Sequence, residues 1–417
     1  MIKRKLLSDL KGHLSKKEIS LIVGPRQAGK TTLMLMLKEY LEKQGENTLF
    51  LSFDFEADRN SLSSQSSLIQ KIRLESGEKR SYVFIDEVQR KENAGLFLKG
   101  LYDMKTPYKF IVSGSGSLEL KEKIHESLVG RKRVFELNTL TFEEFVNFRT
   151  DYHYEDKLYD FFQLEKARTK ELLYEYLNFG GYPALVLETE LKEKRMIMDE
   201  IYRSVIEKDL TYLLRIEKTE AFTSLIKILS GQTGGLVNYS EISSTVGISV
   251  STVKNYLWYA EKTFIIEKIT PFFRNIRKEI TKSPVYYFYD LGLRNFIIGL
   301  MGNLTIPYGA GFLFQNLVLH ILKEKIRHTG RKIHFWRTKD RAEVDFILES
   351  GQDIIPVEVK FKEITKNEIG RSLRNFISKY QPRRAWIINL SLEKNIRLNN
   401  TQVSILPFYK LIDTDFK

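Results

Sequence analysis

A glycine-rich stretch near the start of the chain has the residue types and the spacing that hold a triphosphate. Residues 24–31 read GPRQAGKT and fit the pattern G-x-x-x-x-G-K-[ST] in full. Gly24 and Gly29 let the backbone wrap a phosphate without a Cβ clash, and the loop N–H groups hold negative oxygens together with the N-terminus of the next helix. We expect Lys30 to reach the β- and γ-phosphates and the Thr31 hydroxyl to ligate Mg²⁺. The predicted ATP-binding residues are Gly24, Pro25, Arg26, Gln27, Ala28, Gly29, Lys30, Thr31 and Thr32.

Two adjacent carboxylates follow an apolar run that reads as a buried strand. Residues 82–85 precede Asp86 and Glu87. With the glycine-rich loop upstream, we assign Asp86 to Mg²⁺, through water, and Glu87 to the general base that polarises the attacking water. An ordinary strand end before an acidic turn is the alternative. A nucleoside kinase needs no water activator, and the NKxD guanine signature is absent, so the pair favours ATP hydrolysis over kinase or GTPase chemistry.

A polar strand end and a basic turn supply two further catalytic candidates. The apolar run 109–112 ends in Ser113, and Ser115 follows two residues later. A hydroxyl at this place can lie between the paired acids and the γ-phosphate, so Ser113 or Ser115 is the candidate sensor, with a plain Gly/Ser turn as the alternative. Arg131 could act as an arginine finger on a neighbouring active site, and a solvated basic turn is the alternative there.

These residues must be positioned by strands that alternate with helices. Residues 1–150 show this alternation, which predicts a parallel α/β sheet that binds ligands at the carboxyl ends of its strands. Residues 151–217 are aromatic and helical and resemble a small lid. Residues 218–300 contain a helix-turn-helix pattern, and residues 301–417 return to mixed α/β. The predicted fold class is therefore α/β, with four domains at these bounds.

The helix-turn-helix pattern consists of a short helix over 239–246, a tight turn over 247–249 and a second helix over 250–262. Ser249 can cap the second helix. Polar residues near its exposed start and basic residues in the predicted wing make a phosphate-binding surface: Ser251, Thr252, Lys254, Asn255, Arg274, Arg277, Lys278 and Lys282. DNA is the expected partner, and a winged helix that serves protein contacts is the alternative.

A second set of charged residues, near the C-terminus, resembles the PD-(D/E)XK pattern of nucleases. Asp345 lies on one predicted strand, and Glu358 and Lys360 lie on one face of the next. Asp345 and Glu358 would hold a divalent metal, and Lys360 would orient water or stabilise the phosphate. The helical position that usually completes such a site with a carboxylate is Gln315. A weak or degenerate nuclease is therefore favoured over an active one, with Glu343 as a candidate to compensate.

Five segments together resemble one family of proteins. GPRQAGKTTL, FIDEVQ, SGSGS, LVGR and NFGGYPALV occur in the order and spacing of prokaryotic AAA-type ATPases that carry a C-terminal domain of unknown function related to restriction endonucleases. The first two segments belong to all P-loop ATPases, whereas residues 25–27, 86–89 and 180–183 are more specific. The resemblance covers nearly the whole chain. It implies an AAA-like core in 1–150, a helical lid in 151–217, a winged helix in 218–300 and a nuclease-like domain in 301–417.

Composition adds limits on partners and compartment. The formal net charge of +13 and the pI of about 9.4 favour polyanion partners, although a lysine-rich proteome would give the same values. The absence of cysteine excludes disulfides, thiolate zinc sites and cysteine nucleophiles. The start of the chain lacks a signal-peptide pattern and no run is long enough to span a bilayer, so we expect a soluble cytoplasmic protein with no membrane partner.

Two functions from different classes fit these patterns. The favoured one is an AAA-type protein that binds and hydrolyses ATP with Mg²⁺ and acts on DNA by remodelling or translocation, with a weak or degenerate nuclease domain attached. The alternative is a nucleotide-gated switch or sensor that binds protein partners, turns ATP over slowly and changes its homo-oligomeric state. In a third reading, the C-terminal domain is an interaction scaffold only.

Overall fold

Two large β-sheets organise the chain, each in its own folding unit. The structure is a computed structural model that describes residues 1–115, 128–206, 219–273, 283–303, 309–364 and 369–414. The first unit is made of Met1–Leu140, Tyr182–Glu220 and Asn255–Ile265. The second is made of Thr141–Gly181, Ala221–Lys254 and Ile266–Lys417. Four domains at the bounds expected from the sequence remain a prediction.

The sheet of the first unit is parallel throughout. Its strands are β1 (Ile19–Gly24), β2 (Asn47–Ser52), β3 (Ser81–Asp86), β4 (Tyr108–Ser115) and β5 (Lys132–Glu136), and their order is β2-β3-β4-β1-β5. β1 and β3 are buried along their whole length, as expected for parallel strands covered on both faces. The predicted parallel α/β sheet is confirmed. Because β4 lies between β1 and β3, the carboxyl ends of these three strands lie side by side.

The helices follow the periodic apolar runs of the sequence. In chain order they are α1 (Leu6–Gly12), α2 (Lys30–Glu42), α3 (Gln65–Ser76), α4 (Ala94–Asp103), α5 (Phe142–Arg149), α6 (Leu158–Leu164), α7 (Lys166–Phe179), α8 (Pro183–Leu187), α9 (Leu191–Arg203), α10 (Thr219–Gly231), α11 (Tyr239–Val246), α12 (Val250–Lys262), α13 (Leu291–Ile297), α14 (Ala310–Ile326), α15 (Arg371–Tyr380) and α16 (Lys410–Asp413). In α2, Leu33 and Leu37 are buried at helical spacing and share a core cluster with Leu6 and Leu10 of α1. The start of the chain is thereby packed against the helix that follows the glycine-rich loop. None of the helices within these ranges is both apolar and long enough to traverse a lipid bilayer.

The second unit contains a mixed sheet of six strands in the order β12-β13-β11-β10-β9-β8. The strands are β8 (Lys332–Arg337), β9 (Glu343–Ser350), β10 (Asp353–Val359), β11 (Arg384–Asn389), β12 (Lys394–Leu398) and β13 (Thr401–Pro407). β8, β9 and β10 run antiparallel, whereas β10 pairs with β11, and β11 with β13, in parallel. Asp345 on β9 and Glu358 on β10 therefore lie on neighbouring strands, as predicted. A separate antiparallel pair is formed by β6 (Ile266–Ile269) and β7 (Val285–Phe288).

The helix-turn-helix segment has the bounds that the sequence predicts, since α11 and α12 begin and end at the expected residues. The side chain of Asn238 caps α11, and Gly247 ends it with φ of 72°. Ser249 Oγ accepts a hydrogen bond from Thr252 N at 3.1 Å, which confirms the predicted cap of α12. The basic residues of the predicted wing, Arg274, Arg277, Lys278 and Lys282, lie outside the described residues.

The two glycines of the NFGGYP segment fit closely against the start of α13. Gly181 N donates to Asp290 Oδ2 at 2.9 Å, and Asp290 Oδ1 accepts from Leu293 N at 3.0 Å as the N-cap of α13. Gly180 has φ of +71°, and a Cβ there would lie 2.2 Å from Asp290 Oδ1. A side chain at position 180 is therefore excluded both by the backbone angle and by the buried carboxylate.

Candidate nucleotide-binding site

The glycine-rich loop closes around the side chain of Lys30. Lys30 is buried, and its Nζ donates to Gly24 O at 3.1 Å and to Pro25 O at 2.8 Å. A Cβ on Gly24 would lie 2.0 Å from the carbonyl oxygen of Leu137, and Gly29 has φ of +93°. Both glycines are thus required by geometry, the first by close approach and the second by a left-handed backbone. The ammonium group lies inside the curve of the loop, where a phosphate would meet it.

Three hydrogen-bonding residues from different elements meet at the carboxyl ends of β3 and β4. Thr31 Oγ1, at the start of α2, donates to Asp86 Oδ2 at 2.7 Å, and Ser113 Oγ donates to Asp86 Oδ1. Glu87 N donates to Ser113 Oγ at 3.3 Å. Asp86 and Ser113 are both buried. Of the two sensor candidates, Ser113 has its hydroxyl in this group, and the side chain of Ser115 lies outside the described part of the structure.

The backbone turns away from β3 at Glu87, which has a left-handed conformation. Its φ is 56°, and its Oε2 accepts a hydrogen bond from Gln89 Nε2. Burial raises the pKa of the Glu87 carboxyl above its ordinary value, the charge of Lys30 opposes this, and Asp86 adds to it. A carboxylate with a raised pKa accepts a proton more readily, which suits a general base. Residue spacing does not predict this role of Gln89, because its contact depends on the backbone turn at Glu87.

Arg131 lies at the amino ends of the strands of the same sheet, opposite the carboxyl ends where the loop lies. Its carbonyl oxygen accepts from Ile19 N at 2.9 Å, so it stands beside the beginning of β1, whereas the loop follows the end of β1 at Gly24. The length of this strand separates the two places by about 17 Å. Arg131 Nε and Nη2 bind the carboxylate of Asp103 at 2.9 and 3.4 Å. The structure therefore does not bring Arg131 to the nucleotide-binding residues of its own chain.

The C-terminal candidates form a polar cluster in the second unit. Gln315 Nε2 donates to Asp345 Oδ1 at 2.9 Å, and Val359 N donates to Asp345 Oδ2 at 2.6 Å. Lys360 Nζ pairs with Glu358 Oε1 at 2.5 Å. Glu358 Oε2 is buried and makes no hydrogen bond within the described residues. The expected side chains are thus together, with the neutral amide of Gln315 bound to an oxygen of Asp345.

Glu343 pairs with Arg337 Nη1 at 3.5 Å, so its carboxylate has an ionic partner outside the acidic pair, while its charge also helps to raise the pKa of Asp345. Among the residues that the structure describes, no group of three or more His, Asp or Glu side chains could hold a metal ion. Asp345 and Glu358 are two carboxylates, not three. Burial raises the pKa of Asp345 to about 7, and the nearby charge of Glu358 adds to this effect.

This raised pKa predicts a stability that depends on pH. Between about pH 4 and about pH 7 the folded state keeps a proton on Asp345 that the unfolded state has lost, so the free energy of unfolding should fall by about 2–4 kcal/mol as pH rises through this window. Urea unfolding in EDTA in a Trp258→Phe background, followed by the fluorescence of Trp336 and Trp386, measures the second unit. Asp345→Asn is the matched control and should remove the decrease. An equal slope in both proteins would contradict the prediction.

Comparison with known families is consistent with this geometry. Residues 16–146 match a family described as an AAA domain, residues 170–303 match a domain of unknown function (DUF8612), and residues 310–411 match another (DUF4143). The strand order, the glycine-rich loop and the first match support an AAA-type P-loop NTPase core in the first part of the chain. This confirms the coarse part of the predicted fold class.

Relatives of similar length occur in distant prokaryotes. An uncharacterized protein of Haemophilus influenzae is 28% identical over 364 residues, which cover 84% of each chain. An uncharacterized protein of Mycobacterium tuberculosis is 25% identical over 407 residues, which cover 97% of this chain and 83% of the relative. Among solved structures, AMPPCP-bound DnaA from Aquifex aeolicus is similar at 14% identity and a TM-score of 0.29, over 63% of this chain and 90% of that chain.

Proposed function

We propose that this protein binds ATP with Mg²⁺ at the glycine-rich loop, hydrolyses it, and uses the reaction to act on DNA. One observation supports the binding of ATP with Mg²⁺. The hydroxyls of Thr31 and Ser113 both donate to the carboxylate of Asp86, beside a loop that encloses the Lys30 ammonium group. Oxygen ligands at this place suit Mg²⁺, which prefers hydroxyl, carboxylate and water oxygens.

Each residue of the site has one task in this proposal. The loop amides and Lys30 hold the phosphates, and Thr31 and Asp86 are the residues that would hold Mg²⁺. The ion would neutralise charge that develops on the phosphate oxygens. Glu87 takes a proton from the attacking water, and Ser113 keeps the carboxylate of Asp86 in place.

Calorimetry on the purified 417-residue chain tests the binding step directly. We expect ATP to bind in the presence of Mg²⁺, with phosphate released at a measurable steady rate. Absence of any heat of ATP binding with Mg²⁺ present would remove the proposal and every residue role that depends on it.

The exposed start of α12 supports the DNA part of the proposal. Ser251, Lys254 and Asn255 are exposed there, at the end of a helix-turn-helix from which a winged-helix protein commonly contacts DNA. The overall charge of +13 favours the same partner. We propose that this segment is a winged helix that binds the phosphate backbone.

Reversing one charge on this helix should weaken DNA binding. Lys254→Glu should lower the affinity for duplex DNA about tenfold at moderate salt, and should reduce the slope of log K against log salt by about 1, because one phosphate contact is lost. Fluorescence anisotropy over a salt series measures both. Lys227→Glu, an exposed lysine on α10, is the matched control. Equal effects from both variants would show that only net charge matters, and unchanged binding by Lys254→Glu would exclude α12 from the interface.

For the C-terminal part, we propose a restriction-endonuclease-like domain whose nuclease site is degenerate. Its support is the amide of Gln315 bound to Asp345: a neutral side chain lies where the nuclease pattern has a further carboxylate, so less negative charge is available to hold a divalent ion. If the site bound Mg²⁺ or Mn²⁺, the ion would keep Asp345 ionised, and the free energy of unfolding would depend less on pH than predicted above. Cleavage of DNA with either ion, lost in Lys360→Ala, would contradict a degenerate site.

We also propose that Arg131 serves the nucleotide site of another copy of the chain, since its own site lies across the sheet. Light scattering of the protein with ATP, with ADP and without nucleotide tests this. A single monomeric mass in all three conditions would exclude it, together with the alternative function of a nucleotide-gated oligomeric switch.

A further inference from the structure

Arg4 links the start of the chain to the glycine-rich loop. It is 9% exposed, and its Nη1 donates to the carbonyl oxygen of Ala28 at 2.8 Å. Its Nη2 donates to the carbonyl oxygens of Asn138 at 2.6 Å and of Thr139 at 3.4 Å. One guanidinium group therefore joins the loop to the segment that follows β5.

Arg4 lies between buried residues that anchor the chain before and after it. Ile2 is buried, and Leu6 and Leu10 of α1 belong to the core cluster that contains Leu33 and other apolar residues of α2. This packing fixes the N-terminal segment beside the helix that begins at the loop. The five donors of a guanidinium group have a fixed planar arrangement, so the positions of its carbonyl partners follow from the position of the side chain.

The segment after β5 also contacts the beginning of the loop. Leu137 N donates to Val23 O at 2.8 Å, and its carbonyl oxygen is close enough to Gly24 to exclude a Cβ there. Residues 137–139 thus touch the first half of the loop directly and the second half through Arg4. The loop is held at both ends by the same stretch of backbone.

The bond to Ala28 has a consequence for the next amide. A trans peptide unit is planar, so the carbonyl of Ala28 and the N–H of Gly29 belong to one rigid group and point in opposite directions. When Arg4 holds the carbonyl on one side, it turns the Gly29 N–H to the other. In a glycine-rich phosphate loop, the amides on the inner side are the groups that hold the α- and β-phosphates.

We propose that Arg4 is a positioning residue for nucleotide binding, which orients the Gly29 amide toward the phosphates of ATP or ADP. The inference rests on the proposed ATP-binding function and adds to it a residue from outside the motif. Arg4 acts on the phosphates through the Ala28–Gly29 peptide, so it affects binding of ATP and ADP alike. It has no part in the activation of water by Glu87.

The test compares Arg4→Met with Lys5→Met, which removes the same charge from the exposed neighbouring position. Arg4→Met should raise Kd for ADP and KM for ATP about 10- to 100-fold, as expected when hydrogen bonds from a charged donor are lost. The kcat value at saturating ATP and Mg²⁺ should stay within about twofold of wild type, because the chemical step is unaltered. Lys5→Met should change none of these values. Arg4→Lys keeps the charge but reaches fewer carbonyls, so it should recover part of the affinity.

Each outcome separates the inference from the function on which it rests. If wild type binds no nucleotide, the proposed function is wrong. If wild type binds ADP and Arg4→Met binds it equally well, or loses kcat with KM unchanged, the positioning role alone is overturned. If circular dichroism shows that Arg4→Met does not fold, Arg4→Lys decides. A rise of about 3- to 10-fold in Kd for ADP then supports the inference, and an unchanged Kd refutes it.

Discussion

Glu87→Gln should leave ATP binding intact and lower kcat for ATP hydrolysis about 100- to 10,000-fold. Glutamine keeps the size of the side chain and a hydrogen-bonding oxygen for Gln89, but an amide cannot take a proton from water. Loss of turnover with unchanged Kd is the sign of a group that acts only in the chemical step. Phosphate release at saturating ATP and calorimetric Kd measure the two quantities separately.

Glu92→Gln is the matched control, since Glu92 is an exposed glutamate five residues along the chain. It should retain the wild-type kcat. Because burial raises the pKa of Glu87, the rate of the wild-type protein should increase with pH as this carboxyl loses its proton, above the range of an ordinary glutamate. A kcat within about threefold of wild type in Glu87→Gln would show that another group activates water.

Gly180→Ala should lower the free energy of unfolding of the second unit by about 2–4 kcal/mol. Two costs combine at this position: the φ of +71° disfavours any side chain, and the new Cβ would meet Asp290 Oδ1. The carboxylate cannot retreat without losing its bonds to Gly181 N and Leu293 N. Both donors would then be left unsatisfied in a buried place.

Gly247→Ala separates these two costs. Gly247 has nearly the same φ, +72°, but its added Cβ would have no atom within 4 Å, so this variant carries the backbone cost alone. Urea unfolding in a Trp258→Phe background leaves Trp336 and Trp386 as the tryptophans, and both belong to the second unit. Gly180→Ala should be clearly the less stable of the two variants. Equal stabilities would mean that Asp290 does not constrain the glycine pair.

The elements that the sequence predicted best are those with a strong local pattern. β1, β3 and β4 are apolar runs that end in glycine, acidic or serine residues. The caps Asn238 and Ser249 begin α11 and α12, and Gly247 ends α11 with its left-handed backbone. β5 was missed. It is an edge strand in which Arg133 and Val134 are exposed, so its residues lack the continuous apolar run that marked the other strands.

Within the site, the sequence indicated the residues of the motifs but not those that act from a distance. Lys30, Thr31, Asp86 and Glu87 were assigned because strand and loop spacing places them together. Arg4 could not be found in this way, since its carbonyl partners lie 24, 134 and 135 residues away. Such contacts arise from packing of α1 on α2, and no local pattern carries that information.

The placement of Arg131 limits the symmetry of any assembly that uses it. The loop lies at the carboxyl ends of the parallel strands, and Arg131 with Asp103 lies at their amino ends. An arginine that serves a second copy would therefore join unlike surfaces of the two copies. If each copy gives its arginine to the next, the contact repeats head to tail and produces a closed ring or a helical filament. A two-fold dimer can use Arg131 only if the two sheets run antiparallel across the interface, so that each arginine reaches the site of the other copy.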